Sequence, residues 1–155
     1  MIKVRFLLVA VFCCLLFSSC TKLNVYEKNT TIPQYLWASA FKPSFDFDIT
    51  DTTVQYKLSI VVRHTDAYRY NNIWLNIGSK FPGDAITYQK LELQLGNDAN
   101  GWDGNGLDDI WEVRKTIARG PFKAGKYSFS IAQIMREDPL PNIMSVGVRI
   151  EKSEN

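Results

Sequence analysis

The feature that most constrains this chain is an alternation of apolar and polar residues that recurs from Phe45 to residue 151. In the run VQYKLSIVV at 54–62, every second residue starting at Val54 is apolar, whereas Gln55, Lys57 and Ser59 fall between them. Successive side chains of a β-strand point to opposite faces of its sheet, so this period indicates strands with one buried and one solvated face. Such strands must pair into sheets whose apolar faces are covered.

Seven runs of this kind are separated by turn-rich segments. The runs are FDFDI at 45–49, VQYKLSIVV at 54–62, IWLNI at 73–77, ITYQKLELQL at 86–95, IWEVRKTIA at 110–118, KYSFSIAQI at 126–134 and SVGVRIE at 145–151. Pro82, Pro121, Pro139 and Pro141 fall between the runs, where a missing N–H costs no ladder bond. With no amphipathic helix of three turns in the sequence, we predict an all-β fold. The expected architecture is an antiparallel two-sheet β-sandwich of immunoglobulin or jelly-roll type, forming a single domain at 37–155.

The first twenty residues, MIKVRFLLVAVFCCLLFSSC, have the layout of a bacterial export signal. Lys3 and Arg5 make a basic start, and residues 6–17 are an uncharged apolar run. That run is too short for a transmembrane helix, which needs about 20 residues. The segment therefore predicts a signal helix that is removed on export.

Cys20 is the predicted lipidation site, because two small residues directly before a cysteine form the lipobox pattern of bacterial lipoproteins. We predict a lipoprotein signal peptide at 1–19 and a lipidated tether at 20–36 that leads into the fold. Acyl chains, palmitate among them, would attach the mature chain to a membrane, and several chains make such an attachment stable. An ordinary cleavable signal that happens to end at a cysteine is the alternative.

Cysteine and charge usage limit how the mature chain is stabilised and what it binds. All three cysteines, at 13, 14 and 20, lie in the signal segment, so a chain beginning at Cys20 forms no internal disulfide and depends on its apolar core. Of 18 basic residues, Lys3 and Arg5 belong to the signal, which leaves 16 basic against 16 acidic residues. This neutral balance gives no indication of nucleic acid as a partner.

The segment NDANGWDGNGLDD at 97–109 is the main candidate for a functional loop, and one hypothesis is a calcium site. Asp98, Asp103, Asn105 and Asp108 offer the hard oxygen ligands that calcium prefers. The EF-hand spacing is not met, because no glutamate stands seven residues after either glycine of GNG. Calcium is therefore a weak expectation, and no other cofactor is predicted.

A catalytic role is the second hypothesis for this loop. Acidic residues at 103, 108, 109 and 112 could supply the paired carboxylates of a glycosidase. However, the chain has no GxSxG or HExxH motif, and its single histidine, His64, is predicted to lie at the surface where a strand ends. We therefore expect that the protein is not an enzyme.

A structural connection that offers a partner-contact surface is the third and favoured hypothesis. Glycines permit backbone reversal at positive φ, and Asn and Asp close local turns with their own side chains. Loops at the ends of sandwiches commonly bind partners. The predicted contact residues are Trp102, Asp103, Asn105, Asp108 and Asp109.

Several short motifs together resemble a known family. They are Tyr70 with Asn71-Asn72, the Gly-Trp-x-Gly-x-Gly-x-x-Asp run at 101–109, Phe122 with Gly125-Lys126-Tyr127, Gln133-x-Met135-Arg136, and Val146-Gly147-Val148-Arg149-Ile150. In this combination the chain resembles the GldH family of gliding-motility lipoproteins of Bacteroidetes, over nearly all of the mature sequence. The resemblance implies a lipid-anchored, non-enzymatic structural or assembly component of the gliding machinery linked to type IX secretion. Its partners would be other envelope, gliding or secretion proteins, and the resemblance supplies no catalytic residues.

Location and two alternative functions complete the expectations. No acidic residue stands between Cys20 and Glu27, which favours the periplasmic face of the outer membrane over the cell surface. A glycan-binding lipoprotein of a nutrient-uptake system is one alternative, and a calcium-dependent adhesion module is the other. The first would require exposed, coplanar aromatic rings among Trp37, Trp74, Trp102 and Trp111.

Two further expectations concern side-chain packing. The aromatic residues at 26, 35, 37, 41, 45 and 47 are predicted to pack into the core from an edge strand and not to form a sugar-stacking platform. Arg136 is expected to pair with Glu137, with Asp138 or with a nearby carbonyl.

Overall fold

The computed structural model describes residues 25–153, which contain thirteen strands and no α-helix. The predicted signal helix, the signal peptide at 1–19 and Cys20 lie outside the described residues. The strands are β1 Val25–Thr31, β2 Leu36–Trp37, β3 Ser44–Ile49, β4 Gln55–Thr65, β5 Asn72–Lys80, β6 Thr87–Gln94, β7 Gly96–Asn97, β8 Gly101–Trp102, β9 Asn105–Leu107, β10 Ile110–Pro121, β11 Gly125–Gln133, β12 Leu140–Pro141 and β13 Ile143–Ser153. A single 3-10 turn, Pro33–Tyr35, precedes β2.

The strands form two main antiparallel sheets. The five-stranded sheet has the order β1-β13-β4-β10-β9, and the four-stranded sheet has the order β3-β11-β5-β6. β2 pairs with β12 and β7 pairs with β8 in two short ladders. All seven predicted runs are strands, and the predicted all-β, antiparallel sandwich is confirmed.

The core lies between the two sheets and follows the alternation read from the sequence. In β4 the inward positions from Tyr56 to Val62 are buried, and in β11 Phe129 and Ile131 face them from the other sheet. Phe47 stacks on Phe129 with ring centroids 5.8 Å apart. Burial of rings and branched aliphatic side chains is the main stabilising contribution, since residues 25–153 contain no cysteine and therefore no disulfide.

Residues 25–36 of the predicted tether are part of the fold. β1 pairs along its whole length with β13, from Val25 opposite Glu151 to Thr31 opposite Ser145. Apolar alternation is weak in VYEKNTT because Tyr26 alone among its inward side chains is aromatic or aliphatic, so the period did not reveal the strand. The described strands thus include Val25, twelve residues before the predicted boundary at 37.

Two prolines that were predicted to lie in turns lie at the ends of strands instead. Pro121 ends β10 and Pro141 ends β12. Beyond Glu112, β10 pairs with β4 on one side and has no strand on the other, so a proline at its end removes no bond from a central ladder. β10 also contains a bulge between Thr116 and Ala118, which explains its irregular alternation.

The antiparallel order places the connections at two opposite ends of the sandwich. The long-loop end carries residues 32–43, 66–71, 95–109 and 134–142. The short-loop end carries residues 50–54, 81–86 and 122–124, together with Val25 and Ser153. In the part of the chain from Val25 to Ser153, no helix has the length and apolar character needed to cross a bilayer.

Candidate functional site at the long-loop end

The 97–109 segment forms two successive tight reversals. A turn reverses the chain between β7 and β8. Asn97 Oδ1 closes this turn by accepting hydrogen bonds from the backbone N–H groups of Ala99 and Asn100 at 3.1 and 2.8 Å. β9 then returns as the start of β10. Gly104 has φ +89, and a Cβ there would lie 2.1 Å from the carbonyl oxygen of Glu112. The loop is therefore a glycine-dependent connection, as the favoured hypothesis expected.

The carboxylates of this loop do not gather into a metal site. Asp98 accepts a hydrogen bond from Asn71 Nδ2 at 2.8 Å, and the backbone N–H of Asp103 donates to Leu95 O. Within residues 25–153 no three His, Cys, Asp or Glu side chains are grouped so that they could hold a metal ion. The geometry gives no support to the calcium candidates at 98, 103, 105 and 108.

The predicted contact residues of the loop differ in exposure. Asn105, Asp108 and Asp109 are exposed, whereas Trp102 and Asp103 are partly buried. Trp102 packs edge-on against His64, with ring centroids 4.6 Å apart. Trp102 thus holds the loop against the body, and the exposed polar residues remain the part that a partner could reach.

His64 is fully buried, so its predicted surface position was wrong. β4 continues to Thr65, and the loop folds over this strand end and covers the imidazole. His64 Nδ1 lies 2.8 Å from the carbonyl oxygen of Thr65, which can only accept, so the ring carries its proton on Nδ1. Among the described residues, Nε2 is buried without a hydrogen-bond partner. Burial lowers the pKa of His64 more than this hydrogen bond raises it, which favours the neutral ring.

The 66–71 connection joins the loop to the four-stranded sheet. The backbone N–H groups of Leu95 and Gly96 both donate to Asn71 O, at 2.7 and 3.2 Å. Tyr68 donates its hydroxyl to Asn72 O at 3.0 Å. The Tyr70-Asn71-Asn72 motif therefore has a structural role, because it fixes the chain where it leaves β6 and turns toward β7 and β8.

The 134–142 connection is fixed by a buried glutamine. Gln133 Oε1 accepts from the backbone N–H of Met135 at 2.7 Å, and Gln133 Nε2 donates to Trp37 O at 3.2 Å. Asp138 accepts from the backbone N–H and the hydroxyl of Ser39 at 2.8 and 2.5 Å. These bonds hold the turn that carries Met135 and Arg136.

Arg136 is exposed and makes no ion pair or hydrogen bond with any residue from 25 to 153, contrary to expectation. Its neighbour Glu137 is taken by Arg69 Nη2 at 2.6 Å and by Tyr70 Oη at 2.8 Å. Asp138 is taken by Ser39. A guanidinium with five donors is thus left for solvent or for a partner.

Arg136 lies at the edge of a groove of about 340 Å³ that we call the Arg136 groove, lined also by Tyr70, Trp74, Ile134 and Met135. Trp74 and Ile134 are each 38% exposed. Ile134 N–H donates to Trp74 O at 2.9 Å, which joins the two walls. Aromatic residues, methionine and arginine are enriched at protein–protein interfaces, and energetic hot spots favour Trp, Tyr and Arg.

Sequence reasoning did not identify this groove, although a signal was present. Trp74 stands between Ile73 and Leu75, which face the core, so it must point to the solvent face of β5. Ile134 directly follows Gln133, which is buried at the end of β11. Large apolar residues out of phase with the alternation are the pattern that could have predicted an exposed apolar surface.

The four tryptophans do not form the exposed platform that a glycan-binding function would require. Trp37 is fully buried and donates Nε1–H to Phe41 O at 2.9 Å. Trp102 and Trp111 are partly buried, which leaves Trp74, at 38%, as the one exposed tryptophan of residues 25–153. The predicted core packing of Trp37, Phe45 and Phe47 is confirmed, whereas Tyr35 and Phe41 are exposed.

Comparison with known proteins gives consistent matches to one family. A family model described as GldH lipoprotein matches residues 24–150. The Gliding motility lipoprotein GldH homolog of Christiangramia forsetii is 34% identical over 154 residues, covering 94% of each chain. The Gliding motility lipoprotein GldH of Flavobacterium johnsoniae is 29% identical over 147 residues, covering 90% of this chain and 92% of its own. Among solved structures, the infectious bursal disease virus VP2 subviral particle aligns at 12% identity over 83% of this chain and 32% of that chain, with a TM-score of 0.36 that supports no argument.

Proposed function

The chain belongs to the GldH lipoprotein family, and from that membership we propose that it is a lipid-anchored, non-enzymatic component of gliding motility in the bacterial cell envelope. Two relatives with gliding-motility names match it over 90% or more of its length. We propose further that its role is structural or in assembly, and that it acts by holding a protein partner at the long-loop end.

The proposed anchor is Cys20, freed by removal of residues 1–19. Support comes from the basic, apolar and small-residue segments that precede this cysteine. Cys20→Ser should abolish incorporation of labelled palmitate and release the protein from the membrane fraction, whereas Cys13→Ser should change neither. An unacylated Cys20→Ser protein that stays fully in the membrane fraction would refute the anchor.

The single observation that supports partner docking is the unpaired guanidinium of Arg136 beside exposed Trp74 and Ile134. Exposed apolar side chains grouped around a free charge mark interaction sites more often than scattered ones do. Arg136→Glu and Ile134→Asp should preserve folding, since both side chains are exposed, but should reduce gliding of cells that carry only the variant. Lys90→Glu, an exposed charge reversal in the middle of β6 and away from both ends of the sandwich, is the matched control and should leave gliding unchanged.

A photo-crosslinking amino acid separates docking from indirect effects. Placed at Ile134 in cells, it should give a discrete crosslinked band that Arg136→Glu removes, whereas placed at Lys90 in the middle of β6 it should give none. Equal crosslinking at both positions, or normal gliding of the Arg136→Glu variant, would contradict a docking role for the Arg136 groove.

We also propose that the protein faces the periplasm from the outer membrane and is linked to type IX secretion. The support is the absence of acidic residues between Cys20 and Glu27 and the resemblance to gliding lipoproteins. External protease should not degrade the protein on intact cells but should do so once the outer membrane is permeabilised. Deletion of the gene should lower secretion of a type IX cargo together with gliding, and unchanged secretion would separate the two processes.

A further inference from the structure

We infer that the short-loop end rests on the lipid leaflet that holds the anchor, with Ile86, Phe122 and Lys123 at the headgroup boundary. This inference depends on the proposed acylation of Cys20. It concerns the opposite end of the molecule from the Arg136 groove and assigns a second contact surface, whose partner is lipid.

The length of chain between the anchor and the fold restricts the orientation. Residues 21–24 separate Cys20 from Val25, and Val25 begins β1 at the short-loop end. A fully extended chain spans at most ~3.6 Å per residue, so Val25 cannot lie more than about 18 Å from the acylated cysteine. β4, which runs from the short-loop end to the long-loop end, has 11 residues. At ~3.3 Å per residue it is about 36 Å long, twice the reach of the tether.

The surface held near the leaflet is a built structure and not a set of loose turns. Gly125 allows the 81–86 and 122–124 turns to approach closely, since a Cβ there would lie 2.8 Å from Cβ of Pro82. Phe122 stacks on Tyr127 at 5.4 Å, and Phe81 meets the same ring edge-on at 5.5 Å. Tyr127 donates its hydroxyl to Lys123 O at 3.0 Å, which ties the turn to the strand.

Between the two turns lies a groove of about 230 Å³ whose chemistry matches the interfacial zone of a bilayer. Phe81 and Phe122 line it as half-buried rings, with Asp84 and Lys123 at its rim. Ile86 follows in the same turn and is 49% exposed. The ammonium of Lys123 makes no ion pair within the described part of the chain. Lysines prefer the headgroup level, and phenylalanine and aliphatic side chains prefer the acyl boundary below it.

A leaflet fits this surface better than a protein partner does because the tether keeps lipid permanently at a high local concentration beside it. Linked sites have effective concentrations of the order of mM for short flexible connections. Even weak contacts of a few side chains are then occupied. Because Asp84 offsets Lys123 at the rim, the contact should not require anionic lipid.

Two exposed alanines in turns at opposite ends provide a matched test. Cys20 is the only cysteine after residue 14, and acylation blocks its thiol, so a cysteine introduced at Ala85 or Ala99 is the unique reactive group. Acylated protein carrying Ala85→Cys or Ala99→Cys would be labelled with an environment-sensitive fluorophore. It would then be reconstituted into phosphatidylethanolamine vesicles, with and without phosphatidylglycerol, that contain nitroxide-labelled lipid.

The label at 85 should be quenched by the nitroxide lipid and shifted to the blue, and the label at 99 should show neither change. Adding Ile86→Asp to the Ala85→Cys protein should cause loss of the quenching without loss of vesicle attachment. A vesicle-bound protein whose labels at 85 and 99 are equally unquenched would overturn the leaflet contact while leaving the anchor intact. Mature wild-type protein that mass spectrometry shows to carry no acyl chains on Cys20 would overturn the anchor and the contact together.

Discussion

At the scale of single residues, His64 shows how a loop can rest on a buried polar ring. It is the single histidine of the chain, fully buried, with Nδ1 bonded to Thr65 O and Trp102 packed on its ring. The neutral imidazole is more stable than the charged form at this site because burial penalises the charge. The pKa of His64 therefore reports whether the 97–109 loop is packed against the end of β4.

We predict that the imidazole of His64 titrates below its ordinary pKa of 6.5 in the folded protein, since burial lowers that pKa. The imidazole of the unfolded chain binds its proton with the ordinary pKa of 6.5, whereas that of the folded chain binds it only at lower pH. The contribution of the neutral ring to the free energy of unfolding is therefore complete above pH 6.5 and decreases as the pH falls below it. NMR can follow the one imidazole signal directly. The urea concentration at the unfolding midpoint should decrease as the pH is lowered from 7 to 5. This pH dependence should be absent in His64→Phe. A titration midpoint at or above 6.5 would contradict the buried, neutral assignment.

Gly104 and Gly101 allow a second residue-scale prediction, because both have positive φ but differ in surroundings. A Cβ at Gly104 would overlap the Glu112 carbonyl at 2.1 Å, whereas nothing lies within 4 Å of a Cβ at Gly101. Gly101→Ala should cost about 1 kcal/mol from backbone strain alone. Gly104→Ala should cost about 2–4 kcal/mol, because strain and overpacking add. Equal losses of free energy of unfolding in urea titrations would show that the backbones do not approach as described.

The residues that sequence patterns failed to place are those whose environment is set by distant parts of the chain. His64 looks like a strand-end surface residue until the 97–109 loop covers it. Arg136 has two acidic neighbours in sequence, yet Arg69 and Ser39 occupy their carboxylates from 68 and 99 positions away. Local pattern cannot reveal such competition, whereas Gly104 and Asn97 were predictable because turn chemistry is local.

At the scale of elements, β1 is an edge strand held largely by charge on its solvent face. Glu27 Oε2 lies 2.7 Å from Arg149 Nη1, and Arg149 Nη2 lies 2.8 Å from Glu151 Oε2. The row of ion pairs continues from β13 to β4, where Lys57 Nζ lies 2.8 Å from Glu151 Oε1. The side chains of Glu27, Arg149 and Glu151 are only 19–22% exposed, so water screens these pairs less than an open surface pair.

The pKa values of Glu27 and Glu151 are lowered by this arrangement. For Glu27, burial is the largest single cause and opposes the charge, but the hydrogen bonds from Arg149 and Asn29 and the charges of Arg114 and Arg149 together outweigh it. For Glu151, the hydrogen bond from Lys57 is the largest cause. Carboxylates with lowered pKa values stabilise the fold above their ordinary 4.5, and this stability is lost as pH falls through the lowered values.

We predict that Arg149→Met lowers the free energy of unfolding by about 1–3 kcal/mol, because two partly buried carboxylates lose a charged partner. The matched control is Lys126→Met, whose pair with Asp46 is 66% and 52% exposed and should be worth less than about 1 kcal/mol. Urea unfolding at pH 7 measures both. The difference between the variants should shrink as the pH is lowered through the depressed pKa values of these carboxylates, and a difference that does not change with pH would contradict the ion-pair explanation.

Strands were predicted where apolar residues recur at every second position and were missed where they do not. β4 and β11 lie inside their sheets and carry this period, although Ser59 and Val61 on the other face of β4 are also buried, and their runs were located within three residues at each end. β1 is stabilised by its backbone ladder and by Glu27, neither of which produces an apolar period. The short β2, β7, β8, β9 and β12 have two or three residues each, too few for any period to register.

At the scale of the whole molecule, the two ends, for which we propose different contacts, share one core. The buried residues form a cluster that includes Tyr56 near the short-loop end and Trp37 and Leu95 at the long-loop end. An adaptor that bridges a leaflet and a protein partner must transmit force or position between its ends. A continuous core makes the body rigid enough to do so, because packed interiors deform little.

We predict that the mature protein unfolds in a single cooperative transition in which both ends are lost together. All four tryptophans, at 37, 74, 102 and 111, lie at the long-loop end, so tryptophan fluorescence reports that end selectively. Far-UV circular dichroism reports strands of both sheets along their whole length. Because one core joins the ends, the two probes should give the same urea midpoint and slope, as expected for a two-state domain of this size. A fluorescence transition at lower urea than the dichroism transition would mean that the long-loop end unfolds separately, and the body could not then act as one rigid link between a membrane and a partner.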